Sequence, residues 1–349
     1  MSADLHFMVR VSCMTYNHES YIVDALNGFV MQQTSFPVVY TIVDDASTDN
    51  NVQVIKKFVE DNFDLQDDSI AYEKDFDYGH VVFARHHTNT NCFFAVVFLK
   101  ENHYSQHKTK APYLKEWMDT KYVAMCEGDD YWTDPLKLQK QVSFLEEHPD
   151  YSLCCHRYKI FDQNDGKWED DYVKKMFEIF PDGFSFGNYE NLIKAWMTKT
   201  MTLVYRRSCL NTEDLNKYHY RCDEHLNYHL LRNGLGYCCP FVGAVYRRCD
   251  SGVFSVLSKK EKFERWCRIR GEMLEYNITD KDLRDDAFVN LRWYLSNKQF
   301  CSEMAKVLKV CLISFYKTEG IKATFICSKQ LFSSLVKGLK KNDKKSRSN

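Results

Sequence analysis

The sequence predicts an α/β protein in which a mostly parallel central sheet is flanked by helices and followed by a helical C-terminal region. Short apolar segments alternate with amphipathic ones over residues 7–62, a pattern typical of strands joined by crossover helices. Three apolar segments end in clusters of polar, largely acidic residues. From residue 258 onward the apolar residues recur with helical spacing. Together these observations indicate a Rossmann-like, doubly wound domain with a helical appendage.

The first two strand–helix units lie near the start of the chain. Residues 7–14 form the first predicted strand, and the polar turn Thr-Tyr-Asn-His-Glu at 15–19 follows it. The next segment places apolar residues in pairs four positions apart, as a helix packed on a sheet does. A second apolar strand, 38–43, ends in Asp-Asp-Ala-Ser-Thr-Asp at 44–49, and a second amphipathic helix at 51–62 returns the chain.

The most informative motif follows a third buried strand. Residues 122–126 are apolar and uncharged, as in a strand buried on both faces of a parallel sheet, and Glu-Gly-Asp-Asp-Tyr-Trp at 127–132 comes directly after them. Asp134 and Pro135 then predict the first positions of a helix. The alternative is that the two adjacent aspartates merely end the strand and cap a turn.

The three polar turns are expected to converge on one crevice, because the carboxyl ends of parallel strands meet at one edge of a sheet. The chain has neither a Walker lysine motif nor a GxGxxG motif, so a diphosphate bound here needs another counter-charge. Mg²⁺ and Mn²⁺ prefer oxygen ligands and often take one or two carboxylates together with substrate phosphates. Asp129 and Asp130 are therefore predicted to hold such a cation.

Three segments resemble the family 2 glycosyltransferases, which have the GT-A fold and use nucleotide-sugar donors. These segments read VSCMTYNHESYIVDAL, TIVDDASTDN and YVAMCEGDDYWTDPLKLQKQVSFLEEHPDY, and they occur in the family's order. The resemblance extends over roughly residues 8–255. It implies a GT-A fold, a Rossmann-like sheet of mostly parallel strands.

The resemblance also implies roles for individual residues. The donor would be contacted by the three turns, through Thr15, Tyr16, Asn17, Glu19, Asp44, Asp45 and Asp129. Asp45, with Asp44, would meet the base, and Asp129 would lie near the ribose. Asp130, assisted by Asp129, would bind the metal. Trp132 would border the sugar or the acceptor; the alternative for its ring is to fill the core beneath the loop.

A transferase also needs a base that removes the proton from the acceptor hydroxyl. Asp223, in the segment YRCDEHLNYH, aligns with the catalytic aspartate of inverting family members, and Glu224 is the reserve candidate. Because a carboxylate in the first turn of a helix is stabilised by the helix dipole, a capping role is the alternative for both residues.

The chain departs from the family near residue 249. Many members have Tyr-Arg-x-His where this chain has Tyr-Arg-Arg-Cys, so Cys249 replaces a histidine that can help to hold metal or diphosphate. Phosphate contact would then fall to Arg247 or Arg248, whose forked guanidinium suits that geometry. The alternative is a pair of surface arginines on a loop, predicted at 246–255 after a strand at 241–245.

Charge and composition exclude other classes of protein. A net charge of -1 argues against a general nucleic-acid binder. We find no secretory signal and no apolar stretch of membrane-spanning length, and the fourteen cysteines are accordingly expected to be reduced thiols in a cytoplasmic protein.

Three regions are expected along the chain: a glycosyltransferase domain at 1–257, a helical region at 258–340 and a basic, disordered tail at 341–349. The basic amphipathic C-terminal end can lie on an anionic membrane surface, which would place the protein at the inner face of the membrane. A packed helix followed by a solubilising tail is the alternative.

The resulting hypothesis is a hexosyltransferase-type enzyme that depends on Mn²⁺ or Mg²⁺. It would transfer a sugar from a UDP-linked donor to a glycan or lipid-linked acceptor, with inversion by single displacement, as in surface polysaccharide synthesis. Two alternatives remain. One is a catalytically silent glycan-binding or scaffold protein on the same fold. The other is a sugar nucleotidylyltransferase, which normally needs a glycine-rich N-terminal loop that this chain lacks.

Overall fold

The computed structural model describes residues 6–187, 198–219, 221–249, 257–297 and 299–345. The described residues form two compact units. The first contains residues 6–187, 198–210 and 230–249, and the second contains the remainder of the described chain.

Thirteen strands of the first unit form one mixed sheet. Their bounds are β1 Val9–Thr15, β2 Val38–Asp44, β3 Phe63–Asp64, β4 Tyr72–Phe76, β5 Gly79–His86, β6 Cys92–Leu99, β7 Tyr122–Met125, β8 Tyr131–Trp132, β9 Tyr151–Asp162, β10 Trp168–Asp170, β11 Phe184–Phe186, β12 Val204–Arg206 and β13 Leu235–Arg248. The strand order is β11-β13-β9-β12-β7-β1-β2-β6-β5-β3, and β10, β4 and β8 pair with β9, β5 and β13 respectively.

The centre of the sheet is parallel. Strands β7, β1, β2 and β6 pair in parallel, so that Val9 lies beside both Val38 and Tyr122. All seven residues of β2 and all eight of β6 are buried, as expected of strands covered on both faces. Antiparallel strands flank this group, with β12 beside β7 and β5 beside β6. The predicted α/β class with a mostly parallel central sheet and flanking helices is confirmed.

Nine α-helices are described. Their bounds are α1 Ile22–Val30, α2 Asn51–Asn62, α3 Lys137–Glu147, α4 Lys174–Ile179, α5 Thr212–Asn216, α6 Asp223–Arg232, α7 Lys259–Tyr276, α8 Lys281–Ser296 and α9 Met304–Lys345. The predicted bounds of α2 agree with the structure. Helix α3, however, begins two residues later than Pro135, because the Asp134 carboxylate accepts the Leu136 N–H and the Asp134 carbonyl accepts the Lys137 N–H, which closes a separate turn before the helix.

Strand β13 is longer than predicted. It includes residues 246–248, which were expected to belong to a loop, because each of them pairs with β9, from Ile160 to Asp162. The arginine content of this stretch suggested exposure, but Arg247 is only 7% exposed. Residues 250–255 of the predicted loop lie outside the described residues.

The second unit is helical apart from its connections. Its Arg270 is 1% exposed and binds two carboxylates, those of Glu224 at 2.7 Å and Asp286 at 3.0 Å. No described helix has the length and apolar content needed to cross a bilayer. All fourteen cysteines are free thiols.

Candidate active site

The three polar turns meet at the carboxyl edge of the parallel strands, as predicted. The Asp45 N–H donates to the Thr15 carbonyl at 3.0 Å, which joins the end of β2 to the end of β1. The Gly128 N–H donates to the Met14 carbonyl at 3.0 Å, which joins the turn after β7 to the same strand. These backbone bonds continue the sheet register beyond the strand ends, so β1 lies between the two acidic turns.

The Asp44 carboxylate is a buried hydrogen-bond acceptor at this edge of the sheet. It accepts bonds from the Ser47 hydroxyl at 2.5 Å, the Ser47 N–H at 2.9 Å and the Asn51 amide at 2.7 Å. The same Asn51 amide donates to the Thr15 hydroxyl at 3.0 Å. Asp44 and Thr15 therefore belong to one internal network that holds the first two turns together.

The outer part of the first turn is tied to the second turn as well. Asn17 has the positive φ of 55° that asparagine tolerates better than most residues, and its side-chain oxygen accepts the Thr48 N–H at 2.7 Å. The Glu19 carboxylate accepts both the backbone and the side-chain N–H of Asn50 at 2.8 Å. Tyr16 is 42% exposed, so its ring is available at the surface of this edge.

Asp45 holds a neighbouring loop. Its two carboxylate oxygens accept the N–H groups of His103 at 2.9 Å and Tyr104 at 3.0 Å, and the Lys110 ammonium lies 3.2 Å away. The side chain is 4% exposed. The structure thus gives Asp45 a role in ordering the loop that follows β6, a role that its position after β2 did not reveal.

Gly128 permits the close approach of the first and third turns. A Cβ atom at this position would lie 2.7 Å from the Thr15 hydroxyl oxygen, closer than real contacts allow, and 3.0 Å from the His18 ring nitrogen Nδ1. Only glycine fits this position without a shift of its neighbours. The glycine of the Glu-Gly-Asp-Asp run therefore brings the paired aspartates against the end of β1.

Asp130 and Arg247 form the centre of the site. The two-residue strand β8 pairs with Ala244 and Val245 of β13, and the Arg247 N–H then donates to the Asp130 carboxylate at 2.8 Å. Asp130 is 4% exposed, whereas its neighbour Asp129 is half-buried. The long-range strand pairing thus holds the buried carboxylate in place.

The Arg247 guanidinium makes three further bonds. It donates to the Asp129 carbonyl at 2.9 Å, to the Gln163 side chain at 3.0 Å and to the Asp24 carboxylate at 2.6 Å. Any contact of Arg247 with a diphosphate would therefore use guanidinium N–H groups that are not engaged in these three bonds. In this structure Arg247 joins the acidic turn to α1 and to the residue that follows β9.

Charge and burial at Asp130 are compatible with a cation. Burial, reinforced by the negative charge of Asp129, raises the pKa of the Asp130 carboxyl well above its usual range, while the Arg247 N–H and the positive charge of Lys199 oppose this shift. Two adjacent carboxyls suit Mg²⁺ or Mn²⁺, which commonly complete their shells with water and phosphate oxygens. Within the described ranges, no group of three or more His, Cys, Asp and Glu side chains is arranged to hold a metal.

Trp132 lies in the core and not at the surface. Its ring is 2% exposed, packs edge-on against Phe29 and donates its indole N–H to the Met201 carbonyl at 2.8 Å. The expected contact with the sugar or acceptor is therefore corrected in favour of the alternative, core packing beneath the turn. The physical reason is the pairing of Trp132 with Ala244, which turns the ring inward.

Two nearby residues were missed by the sequence reasoning. The Lys199 ammonium lies 4.4 Å from the centre of the Tyr246 ring, and its charge acts on Asp130. His18 lies in the first turn, and its burial lowers the pKa of its ring although Asp129, Asp49 and Asp44 act in the opposite direction. His18 was visible beside Asn17, but no local pattern around Lys199 indicates its proximity to the acidic turn.

Asp223 and Glu224 open helix α6 of the second unit, where their environments differ. Glu224 is held at 2.7 Å by the buried Arg270, so its carboxylate is part of a structural ion pair. The Asp223 carboxylate accepts the Glu224 N–H at 3.1 Å. The ion pair with Arg270 makes Glu224 a poor candidate for a reacting group.

The fold just described is that of known glycosyltransferases. In sequence, no family model matches the chain. Among solved structures, it is similar to S. aureus TarS 1-349 in complex with UDP-GlcNAc, with a TM-score of 0.56 and 16% identity over 95% of this chain and 88% of that one. It is also similar to the mannosyltransferase PcManGT from Pyrobaculum calidifontis in complex with GDP-Man and Mn²⁺, with a TM-score of 0.50 and 14% identity over 96% and 88%. At identities this low, the TM-scores establish similarity of the fold alone.

Curated sequence relatives include uncharacterized proteins of Mycobacterium tuberculosis and Mycobacterium bovis. Each is 29% identical over 258 residues, which cover 73% of this chain. The chain spans 63% of the length of these relatives, so they extend beyond the matched part.

Proposed function

We propose that this chain is a glycosyltransferase of family 2 type that moves a sugar from a nucleotide diphosphate donor, UDP-linked, to a glycan or lipid-linked acceptor. The observation that carries the proposal is the meeting of three polar turns at the carboxyl edge of parallel strands, with Asp129 and Asp130 at the centre. The shared fold supports it, because TarS has been crystallised with UDP-GlcNAc and PcManGT with GDP-Man and Mn²⁺. A role in surface polysaccharide synthesis belongs to the same proposal.

The donor would lie across the three turns. Tyr16 and the backbone of the first turn would contact the nucleoside, while Thr15, Asn17, Glu19 and Asp44 hold that surface in shape through the bonds described above. Asp45 would contribute to donor binding in one of two ways. It would hold the loop that contacts the donor, or its carboxylate would accept a hydrogen bond from the base in place of one backbone N–H. Asp129, the more exposed of the paired aspartates, would face the ribose.

Departure of the nucleotide diphosphate is the step that needs positive charge. A Mn²⁺ or Mg²⁺ ion bound by Asp130 and Asp129 would supply it by neutralising the phosphate oxygens of the leaving group. Arg247 holds the Asp130 carboxylate and the Asp129 backbone in a fixed geometry. The Lys199 ammonium also acts on Asp130, and its positive charge would further stabilise the diphosphate.

Asp223 would act as the general base in an inverting single displacement. Its carboxylate would accept the proton of the acceptor hydroxyl while that oxygen bonds to the anomeric carbon and the bond to the diphosphate breaks. Glu224 would position α6 through Arg270 and would not react itself. We also propose three regions, with bounds 1–257, 258–340 and 341–349. The proposal further includes a cytoplasmic location and peripheral contact of the C-terminal region with a membrane.

Incubation of the purified chain with a panel of UDP-sugars and Mn²⁺ tests the proposed reaction. Slow release of UDP from one donor, abolished by EDTA, is the expected result. Release of pyrophosphate from UTP and a sugar phosphate would identify a nucleotidylyltransferase instead. Glycan binding with no UDP release from any donor would favour a scaffold protein and overturn the proposal.

A further inference from the structure

The last helix of the second unit carries an apolar stripe on its exposed side. Gly320, with φ 83° and ψ −176°, interrupts α9, so that residues 321–345 form a separate helical segment. Four large side chains of this segment are exposed: Ile321 by 73%, Phe325 by 60%, Phe332 by 67% and Leu339 by 54%. Their spacing of four and then seven residues places them in one line along the helix, which we call the apolar stripe.

The apolar stripe is not the face that packs against the rest of the unit. Cys327, Leu331 and Ser334 are between 5% and 8% exposed and form the buried face of the same segment. At 1.5 Å per residue the stripe is about 27 Å long. A continuous exposed apolar line, opposite the buried face of the same helix, marks an interaction surface.

The charges of the segment identify the kind of partner. Residues 321–345 contain seven lysines and one aspartate, although the whole chain has a net charge of -1. At about 100° per residue, Lys322 and Lys329 fall beside the apolar stripe, and both are exposed. The Lys329 ammonium lies 4.4 Å from the centre of the Phe325 ring, so the cation and the apolar surface are presented together.

We infer that the apolar stripe with its flanking lysines docks on an anionic phospholipid bilayer. The apolar side chains would enter the boundary between headgroups and acyl chains, and the lysines would meet the lipid phosphates, as in interfacial amphipathic helices. A second copy of the chain is a poorer occupant, because pairing two identical stripes about a two-fold axis brings their lysines together. The inference deepens the membrane contact included in the proposed function, and it would place a transferase beside lipid-linked acceptors.

Vesicle sedimentation with the full chain tests the inference without donor or acceptor, so its outcome is independent of the transferase reaction. We expect binding to vesicles of 70:30 phosphatidylcholine and phosphatidylglycerol, weaker binding at high salt, and little binding to phosphatidylcholine alone. The double substitution Phe325→Ser and Phe332→Ser should lower the partition coefficient at least about tenfold, since each removes an aromatic ring that docking would bury in the bilayer. Lys329→Gln should lower it about fivefold, the equivalent of about 1 kcal/mol per basic residue at an anionic surface.

Trp168→Ser is the matched control, because Trp168 is a 57% exposed aromatic residue of the first unit. It should leave vesicle binding unchanged, and circular dichroism and thermal unfolding should show that the double variant is folded. Equal binding to neutral and anionic vesicles, or unchanged binding by the double variant, would overturn the inference. A wild-type dimer in sedimentation velocity that the double substitution converts to a monomer would also overturn it, by assigning the stripe to self-association.

Discussion

Lys137, at the start of α3, offers the sharpest test of how the region beneath the candidate site is built. Its side chain is 0% exposed, and its ammonium lies 4.0 Å from the centre of the Trp132 ring. No hydrogen-bond partner lies within reach of its Nζ atom in the described part of the chain. Burial lowers the pKa of Lys137 from 10.5 to about 7, which corresponds to a cost of about 5 kcal/mol for burying the charged form.

Replacing this side chain by methionine should therefore stabilise the protein. Methionine keeps an unbranched apolar side chain without the charge, so Lys137→Met is expected to raise the free energy of unfolding by about 3 to 5 kcal/mol at pH 6. Below pH 7 the lysine is charged in both the folded and the unfolded state, and the full cost is present. Between pH 7 and 10.5 the folded protein loses this proton before the unfolded chain does, so wild-type stability rises with pH relative to the variant.

Urea unfolding of both proteins at pH 6 and pH 9.5 measures the effect. The stability difference should be about 3 kcal/mol more favourable to the variant at pH 6 than at pH 9.5. Lys140→Met is the matched control, because Lys140 is on the same helix with a 42% exposed side chain. It should change stability by less than about 1 kcal/mol at either pH. A less stable Lys137→Met protein, or a difference that does not depend on pH, would refute the reasoning.

Three further predictions concern residues of the site. Arg247→Lys should lower the free energy of unfolding by about 3 kcal/mol, because an ammonium cannot keep the three guanidinium bonds. The control Arg248→Lys, at the partly exposed neighbour, should lower it by under about 1 kcal/mol. Equal effects of the two substitutions in urea unfolding would contradict the structural role of Arg247. Asp223→Asn should lower kcat at least about 100-fold with UDP-sugar affinity retained, and loss of affinity instead would indicate a structural role. Glu224→Gln should mainly destabilise the fold, by about 3 kcal/mol, because it weakens the buried pair with Arg270; an effect on kcat alone would reverse the two assignments.

Local patterns predicted the elements that place the site, because the information lies within a few residues. The apolar runs of β1, β2 and β7 and the turns after them follow from periodicity and from the acids at the strand ends. The first turn, the second turn and the paired aspartates meet because parallel strands share one carboxyl edge. The resemblance of three short segments then added roles that no spacing alone provides.

Long-range pairing decided what local patterns could not. The bond between Arg247 and Asp24 joins residues 223 positions apart, and nothing in either neighbourhood predicts it. Trp132 points inward because β8 pairs with β13. Strand β13 itself extends through Arg247 and Arg248, which were expected to lie in a loop. Lys199 approaches Asp130 from a segment without a motif. Each of these features depends on strand order, which periodicity does not encode.

The most direct test of the proposed donor site compares UDP binding by wild type and by Asp130→Asn. Calorimetry measures the affinity of each full chain for UDP, first with Mn²⁺ and then with EDTA. The asparagine oxygen can still accept the Arg247 N–H, so the fold should be retained. We expect wild type to bind UDP with Mn²⁺, and we expect EDTA or the substitution to weaken binding at least about tenfold, or about 1.4 kcal/mol. Equal UDP affinity with and without the metal and the carboxylate, or no UDP binding by the folded wild type, would contradict this expectation.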